Sequence, residues 1–152
     1  MYIRKAKVFE LDIVYSMGFD VWNGCQSYEE YLVNCRNSKK YQSGTWYVLV
    51  EDEQIVSSLI VYSGLFNLTE GCFGIGSLAT TPAQRNNGYG SALINLVKAE
   101  LFKNRRCKAI YLHCDIGHEY YENLGFVSVN SSDCMCTTKN HSVCESSLPA
   151  YF

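Results

Sequence analysis

The sequence is poor in charged residues, in prolines and in long apolar runs. Asp, Glu, Lys and Arg make up 18% of its 152 residues, below the roughly 25% of an average globular chain. Because 47% of the residues are hydrophobic, the composition argues against intrinsic disorder. No apolar run approaches the ~18 residues that span a bilayer, and the first residues lack the uninterrupted apolar core of a signal peptide. We therefore expect a cytoplasmic protein with no membrane partner.

A basic surface is missing as well. The formal net charge is −2, and the 13 Lys and Arg residues are spread along the chain without a block longer than the pair Arg105-Arg106. Proteins that bind DNA or RNA usually carry a concentrated positive patch that neutralises phosphates. The charge pattern therefore excludes nucleic acid as an expected partner.

Only two prolines interrupt the chain, and it contains no internal repeat and no low-complexity tract. A chain of this length fits one domain and buries about 68–70% of the surface that it exposes when unfolded. We predict a single domain over residues 1–152.

Eight cysteines would indicate a disulfide scaffold in a short secreted chain. Because this chain has no recognisable export signal and is long enough to build its own core, we interpret most of them as reduced, small apolar side chains. Cys134, Cys136, His141 and Cys144 could supply four zinc ligands. Their Cys-x-Cys spacing instead predicts two cysteines on one face of a strand that packs into the core, so we expect no metal.

Strand and helix patterns alternate along the chain. Segments rich in Val, Ile, Leu and aromatic residues predict strands at residues 2–7, 45–51, 54–62, 72–80, 109–114, 126–129 and 134–138. Apolar spacing and capping residues predict helices at residues 12–21, 27–37, 88–102 and 116–123. Ser27 and Glu30 form a capping-box pattern, and Leu93, Leu96, Val97 and Leu101 form the apolar stripe of the third helix. The order indicates a mixed α/β fold with an antiparallel front half and one strand-helix-strand crossover.

The most informative segment joins the strand at 72–80 to the helix at 88–102. It contains Pro82, Arg85, Gly88 and Gly90, so consecutive N–H groups in a glycine-containing loop lead into a helix N-terminus. The helix end adds about half a positive charge, and this combination suits a pyrophosphate. Arg85 would add a cation. An ordinary turn into a helix would use the same glycines, and the P-loop motif is excluded because no Gly-Lys-Ser/Thr occurs here.

The loop sequence Arg85-Asn86-Asn87-Gly88-Tyr89-Gly90 is similar to the signature Arg/Gln-x-x-Gly-x-Gly/Ala of the GNAT superfamily of acetyl-CoA-dependent N-acetyltransferases. The preceding strand, the amphipathic helix that follows, and Tyr120-Tyr121-Glu-Asn-Leu-Gly125-Phe126, which resembles the family's Phe-Tyr-x-x-x-Gly-Phe segment, occur in the expected order. The resemblance implies a mostly antiparallel central sheet that splays at strands 4 and 5, with flanking helices. It also implies acetyl-CoA as the acetyl donor.

The resemblance further assigns site residues. Leu78 and Thr80 would offer backbone groups to the pantetheine arm, and Gly74 and Gly76 would allow its close approach. The N–H of Leu78 or Ala79 would hold the oxyanion. The pyrophosphate would lie against the backbone N–H groups of Arg85, Asn86, Asn87, Gly88, Tyr89, Gly90 and Ser91.

Tyr121 aligns with the family's tyrosine, which implies that it gives a proton to the leaving thiolate. A phenol with a pKa of about 10 is protonated at neutral pH and can serve as this acid. Tyr120 and Leu124 stand at i and i+4 and predict the core face of their helix, which leaves Tyr121 on a different face. Asp115 is the expected N-cap of that helix.

Two departures from the family pattern leave the general base open. Gly74 stands where some relatives carry a strand-4 glutamate, and Cys114 stands where an asparagine often contacts CoA. Glu70, His113 and His118 are alternative bases, as is a chain of water molecules.

Acceptor choice in this family usually depends on the first two helices, here residues 20–31, and on hairpin aromatics. The residues concerned are Trp22, Tyr28, Glu29, Glu30, Tyr31, Tyr47 and Tyr62. An aromatic and acidic pocket made of these residues would suit a cationic amine, through cation–π contacts and charge pairing. Alternatively, the same residues form part of the core and of the solvated surface.

The leading hypothesis is an acetyltransferase that acts on a primary amine of a small molecule or peptide. The alternative is a non-catalytic sensor of CoA or acyl-CoA, suggested by Gly74 and Cys114. A third hypothesis, a metal-stabilised interaction protein, depends on residues 134–144. Exposed strand edges near the chain end are compatible with a homodimer.

Overall fold

The computed structural model describes residues 1–139 and 151–152. The strands are β1 (Tyr2–Lys5), β2 (Thr45–Glu51), β3 (Gln54–Ser63), β4 (Cys72–Thr80), β5 (Ala109–His113), β6 (Val127–Ser128) and β7 (Cys134–Thr138). The helices are α1 (Leu11–Ser16), α2 (Phe19–Trp22), α3 (Tyr28–Asn37), α4 (Lys39–Ser43), α5 (Tyr89–Asn104) and α6 (His118–Glu122). Short 3-10 turns occupy Val8–Glu10 and Pro82–Gln84.

The strands form one mixed sheet in the order β1-β2-β3-β4-β5-β7-β6. β4 and β5 pair in parallel from Cys72 opposite Ala109 to Ile75 opposite Leu112. β1 pairs with β2, β5 with β7, and β6 with β7 in antiparallel register. The paired stretch of β4 and β5 ends at Ile75, so residues 76–80 of β4 continue beyond it. This confirms the predicted mixed α/β sheet, and the structure shows that strands 4 and 5 are its parallel pair.

The chain divides into two compact units. One contains Met1–Ile60 and Ser77–Leu93, and the other contains Val61–Gly76 and Ile94–Phe152. The first holds the loop between β4 and α5, and the second holds α6. The prediction of one domain over residues 1–152 stays a prediction.

The predicted helix at 12–21 is interrupted at Met17 and Gly18, which separate α1 from α2. A Cβ on Gly18 would lie 2.1 Å from the Trp22 ring, so the close contact of this ring requires a glycine. The predicted capping box of α3 is confirmed, because the Ser27 hydroxyl accepts a hydrogen bond from the Glu30 N–H and the Glu30 carboxylate accepts one from the Ser27 N–H.

The apolar stripe of α5 differs from the predicted one at a single position. Leu93, Ile94, Val97 and Leu101 are at most 1% exposed, whereas Leu96 is 36% exposed. Ile94 therefore takes the place predicted for Leu96. In the described part of the chain, no helix has the length and apolar character needed to cross a membrane.

Candidate active site

The segment between β4 and α5 makes a compact turn before the helix begins. The N–H groups of Gln84 and Arg85 donate to the carbonyls of Thr81 and Pro82. Asn86 and Gly88 then adopt left-handed backbone angles, with φ of 65° and 79°. Because asparagine and glycine tolerate this region best, these two residue types direct the chain into the helix.

Five consecutive backbone donors follow this turn. At the start of α5, the Ala92 N–H donates to the Gly88 carbonyl at 3.0 Å. Within the described residues, the N–H groups of Asn86, Asn87, Gly88, Tyr89 and Gly90 find no acceptor. They lie at the positive end of a 16-residue helix.

Gly88 lies beside open space that no side chain or backbone atom of the described residues fills. A Cβ built on this residue meets no atom of the described chain within 4 Å. Open space beside a row of N–H groups at a helix N-terminus has the chemistry of an anion site. The predicted loop therefore provides donors and room for a phosphate group.

The Arg85 guanidinium forms its hydrogen bonds with groups of the protein. Its Nη1 and Nη2 donate to the two Asp20 carboxylate oxygens at 2.6 and 2.8 Å, Nη2 also donates to the Met17 carbonyl at 3.0 Å, and Nε donates to the Thr80 carbonyl at 3.1 Å. The guanidinium holds the pKa of the Asp20 carboxyl below its ordinary value. Arg85 thus fastens the loop to α2 and to the end of β4.

Ser77, within the last residues of β4, has a left-handed φ of 49°. Gly76 precedes it. The carbonyl of Ala79 accepts a hydrogen bond from the Ser57 hydroxyl at 2.8 Å. Leu78 lies half-buried between these two residues.

Tyr121 lies on the buried face of α6. It is 4% exposed, and its hydroxyl donates to Asp115 Oδ1 at 3.3 Å. Burial, followed by the charge of Asp115, raises the pKa of the Tyr121 phenol well above its ordinary value. The phenol therefore carries its proton throughout the neutral range.

Two expectations about α6 were wrong. Tyr121 and Leu124 are buried and Tyr120 is half-buried, so Tyr121 rather than Tyr120 faces the core. Its ring meets Phe126 edge-on at 6.2 Å, which fixes the rotation of this short helix. The N-cap is Gly117, with a φ of 139°, and Asp115 receives the tyrosine hydroxyl instead of capping the helix.

The chain matches the model of the Acetyltransferase (GNAT) family over residues 11–126. It belongs to the GNAT acetyltransferase family.

Solved GNAT structures share its fold. A GNAT acetyltransferase from Brucella melitensis in complex with acetyl-CoA superposes with a TM-score of 0.65 at 20% identity, covering 91% of this chain and 87% of that one. A mutant of the spermidine N-acetyltransferase SpeG from Vibrio cholerae gives 0.65 at 13% identity, covering 91% and 95%. The aminoglycoside acetyltransferase AAC(6')-Ib in complex with coenzyme A gives 0.67 at 17% identity, covering 92% and 95%. No curated protein sequence matches this chain significantly.

This GNAT chain fills the space at Gly74 with its own side chain. A Cβ on Gly74 would lie 2.0 Å from the Phe152 ring, and Phe152 is 6% exposed. Its ring also contacts Tyr62 and Tyr151, with centroids 6.1 and 4.9 Å apart. The close approach predicted at Gly74 is therefore made by Phe152.

The second departure from the GNAT pattern, Cys114, lies at the edge of the core. It is 9% exposed, and its N–H donates to the Asp133 carbonyl at 2.7 Å. Among the candidate bases, Glu70 and His113 are exposed. His118 Nε2 lies 3.3 Å from Asp133 Oδ1.

The residues expected to choose the acceptor divide into core and surface. Tyr31, Tyr47 and Tyr62 are at most 6% exposed and belong to the core, whereas Trp22 and Tyr28 are 38% and 45% exposed. Glu29 and Glu30 are exposed and line a shallow cavity of about 330 Å³ with Gln26, Val33 and Asn34.

Of the four residues in the alternative zinc site, two lie within the part of the chain that the structure describes and two lie outside it. Cys134 and Cys136 are buried in β7, at 2% and 0% exposure. Cys134 is a free thiol, as predicted, whereas Cys136 is disulfide-bonded. His141 and Cys144 lie outside the described residues. Across residues 1–139 and 151–152, no three His, Cys, Asp or Glu side chains are grouped as metal ligands.

Proposed function

We propose that this chain transfers an acetyl group from acetyl-CoA to a primary amine of a small molecule or peptide. The observation that carries the proposal is the row of backbone N–H groups from Asn86 to Gly90 beside the open space at Gly88. Such donors match the oxygens of a pyrophosphate, which is the charged part of the acetyl donor.

Each part of the donor would have its own partners. The pyrophosphate would accept hydrogen bonds from the N–H groups of residues 86–91, including Ser91, while the Arg85 side chain would keep the loop in place. The pantetheine arm would pair with the backbone of Leu78 and Thr80 beyond the end of the β4–β5 pairing. No metal takes part in this proposal.

The reaction would proceed by direct attack within a ternary complex. The lone pair of the neutral amine forms a C–N bond with the acetyl carbonyl, and the charge that collects on the carbonyl oxygen is stabilised by the N–H of Leu78 or Ala79. The C–S bond then breaks. Tyr121 gives its proton to the departing thiolate, and the amine loses a proton to one of the candidate bases or to water.

An amine acceptor is supported by the charge of the surface and by the related proteins. Glu29 and Glu30 border a cavity and would attract a cation. The structures with the same fold include enzymes named for spermidine and for aminoglycosides, both of which carry amines. Their identity to this chain is below 25%, so the particular amine is left to experiment.

The alternative is a sensor that holds CoA or acyl-CoA without transferring the acyl group. One observation favours it: Phe152 occupies the space at Gly74, the strand-4 position where some relatives carry a glutamate. Because residue 74 is a glycine, no carboxylate is present there to act as a base.

Product formation distinguishes the two functions. The purified protein would be incubated with acetyl-CoA and spermidine, kanamycin or a lysine-containing peptide, and released thiol and acetylated product would be measured by colorimetry and mass spectrometry. We expect thiol release that depends on one class of amine, with a mass increase of one acetyl group on the acceptor. Tight acetyl-CoA binding without product across the panel would instead support the sensor.

A further inference from the structure

A cavity of about 650 Å³ lies within the first compact unit, away from the loop donors described above. It is bounded by the end of β1, the 3-10 turn Val8–Glu10, the start of α1, the helix α4 and the start of β2. Six of its lining residues determine its chemistry: Lys5, Asp12, Tyr15, Arg36, Tyr41 and Trp46. Its volume is in the range of small-molecule sites.

Aromatic rings line much of this cavity. Tyr15 and Tyr41 stack with centroids 5.8 Å apart and an interplanar angle of 14°. Trp46 meets both edge-on, at 5.8 Å from Tyr15 and 5.1 Å from Tyr41. Such rigid, flat surfaces favour a ligand with an aromatic body.

Trp46 also provides a polar group that lacks a partner. Its side chain is 8% exposed, yet the indole Nε1 is buried and donates to no acceptor in residues 1–139 and 151–152. A buried donor without an acceptor destabilises a fold, and such groups are rare in folded proteins. A ligand that brings an acceptor oxygen to Trp46 would satisfy this N–H.

The charges that face the cavity indicate the type of acceptor. Arg36 Nε and Nη2 donate to the two Asp12 carboxylate oxygens at 3.0 and 2.7 Å, so the carboxylate on this wall is already paired. This contact lowers the pKa of Asp12, which remains ionised. Lys5 is exposed and forms no ion pair with any described residue. The cavity therefore presents one surplus positive charge.

We propose that this cavity is a binding site for a small aromatic carboxylate. The aromatic body lies against Tyr15 and Tyr41, one carboxylate oxygen accepts from the Trp46 indole N–H, and the carboxylate charge faces Lys5. The proposal rests on the cavity alone, so it stands or fails independently of acetyl transfer.

Three probes of similar shape and different charge test it: phenylacetate, phenylacetamide and phenethylamine. The readout is the indole ¹H–¹⁵N spectrum of tryptophan-labelled protein, in which Trp22→Phe assigns the signal of Trp46. We expect phenylacetate to move the Trp46 indole proton downfield in a saturable manner and to bind more tightly than the other two probes. Lys5→Gln should weaken phenylacetate binding by about two- to fivefold, the range of a partly exposed ion pair, and leave phenylacetamide binding unchanged.

Lys103→Gln is the charge-matched control, because Lys103 is exposed and does not line the cavity. It should leave all three affinities unchanged. Tighter binding of phenethylamine than of phenylacetate would contradict the inferred charge. Absence of a Trp46 indole shift with every probe at millimolar concentration would overturn the site itself.

Discussion

Replacing Arg85 with glutamine should lower the stability of the protein in the absence of any ligand. The substitution removes hydrogen bonds to the Met17 and Thr80 carbonyls and the ion pair with Asp20. If the guanidinium served chiefly to bind the donor's phosphates, the free protein would lose little stability. The Arg85→Gln variant therefore separates a structural role from direct ligand binding.

The size of the effect follows from these contacts. A hydrogen bond to a charged group contributes about 1.5–3 kcal/mol when buried. The Arg85 side chain is 33% exposed, so we take roughly 1 kcal/mol for each of its two carbonyl bonds. The Asp20 side chain is 48% exposed, and such a pair adds only about 0–1 kcal/mol. We expect a total loss of about 2–3 kcal/mol, which lowers Tm by about 5–10 °C in a chain of this length.

Thermal unfolding followed by circular dichroism, with Asp20→Asn as the comparison, measures this difference. Asp20→Asn removes the ion pair and keeps both carbonyl bonds, so its Tm should fall by no more than about 4 °C. The reasoning would be refuted by an Arg85→Gln variant that keeps the wild-type Tm and loses only its stabilisation by acetyl-CoA. That result would place the guanidinium on the ligand.

Four further substitutions test three other contacts. Tyr121→Phe should lower turnover by about 10²- to 10⁴-fold, as expected for loss of a general acid, with an unchanged Kd for acetyl-CoA by calorimetry. Gly74→Ala should expel the Phe152 ring and lower the unfolding free energy in urea by about 1.5–3 kcal/mol. Phe152→Ala should remove most of this sensitivity. Glu10, whose pKa is lowered to about 2 mainly by the hydrogen bond from Arg4, should stabilise the fold at neutral pH. In urea unfolding, the advantage of wild type over Glu10→Gln should shrink as the pH falls from about 4.5 towards 2.

Each of these predictions has a result that would contradict it. Tyr120→Phe changes the adjacent, half-buried tyrosine and should keep turnover near wild type; equal losses in both variants would remove Tyr121 from the mechanism. Strictly additive effects of Gly74→Ala and Phe152→Ala would show that the two positions do not touch. A pH-independent difference between wild type and Glu10→Gln would contradict the lowered pKa of Glu10.

Local sequence patterns were sufficient for much of the fold. The bounds of β2, β4 and β7 agree with the predicted segments because each is a short run of strand-forming residues that ends at a turn or a proline. The helix α4 was missed, since its five residues are too few to show a periodicity. Its only local signal is Ser38, whose hydroxyl caps it by accepting from the Tyr41 N–H.

Contacts between distant parts of the chain explain what the sequence did not reveal at the site. The loop and its glycines were predictable because their chemistry is contained in one short segment. The partner of Arg85 was not, because Asp20 lies 65 residues earlier in the chain. The contact of Phe152 with Gly74 likewise has no local signature. The rotation of α6 that buries Tyr121 depends on the edge-on contact with Phe126.

The most direct test of the account is thermal unfolding with and without acetyl-CoA for wild type, Gly88→Leu and Gly64→Leu. Gly64 is the matched control, because its φ of 67° is left-handed like the 79° of Gly88 and a Cβ on either residue meets no described atom within 4 Å. Both variants should therefore suffer similar backbone strain. At 100 times its Kd, acetyl-CoA should stabilise wild type and Gly64→Leu by about 2.7 kcal/mol, whereas Gly88→Leu should gain little. No shift of folded wild type at millimolar acetyl-CoA, or equal shifts in the two variants, would contradict the assignment of the loop as the pyrophosphate site.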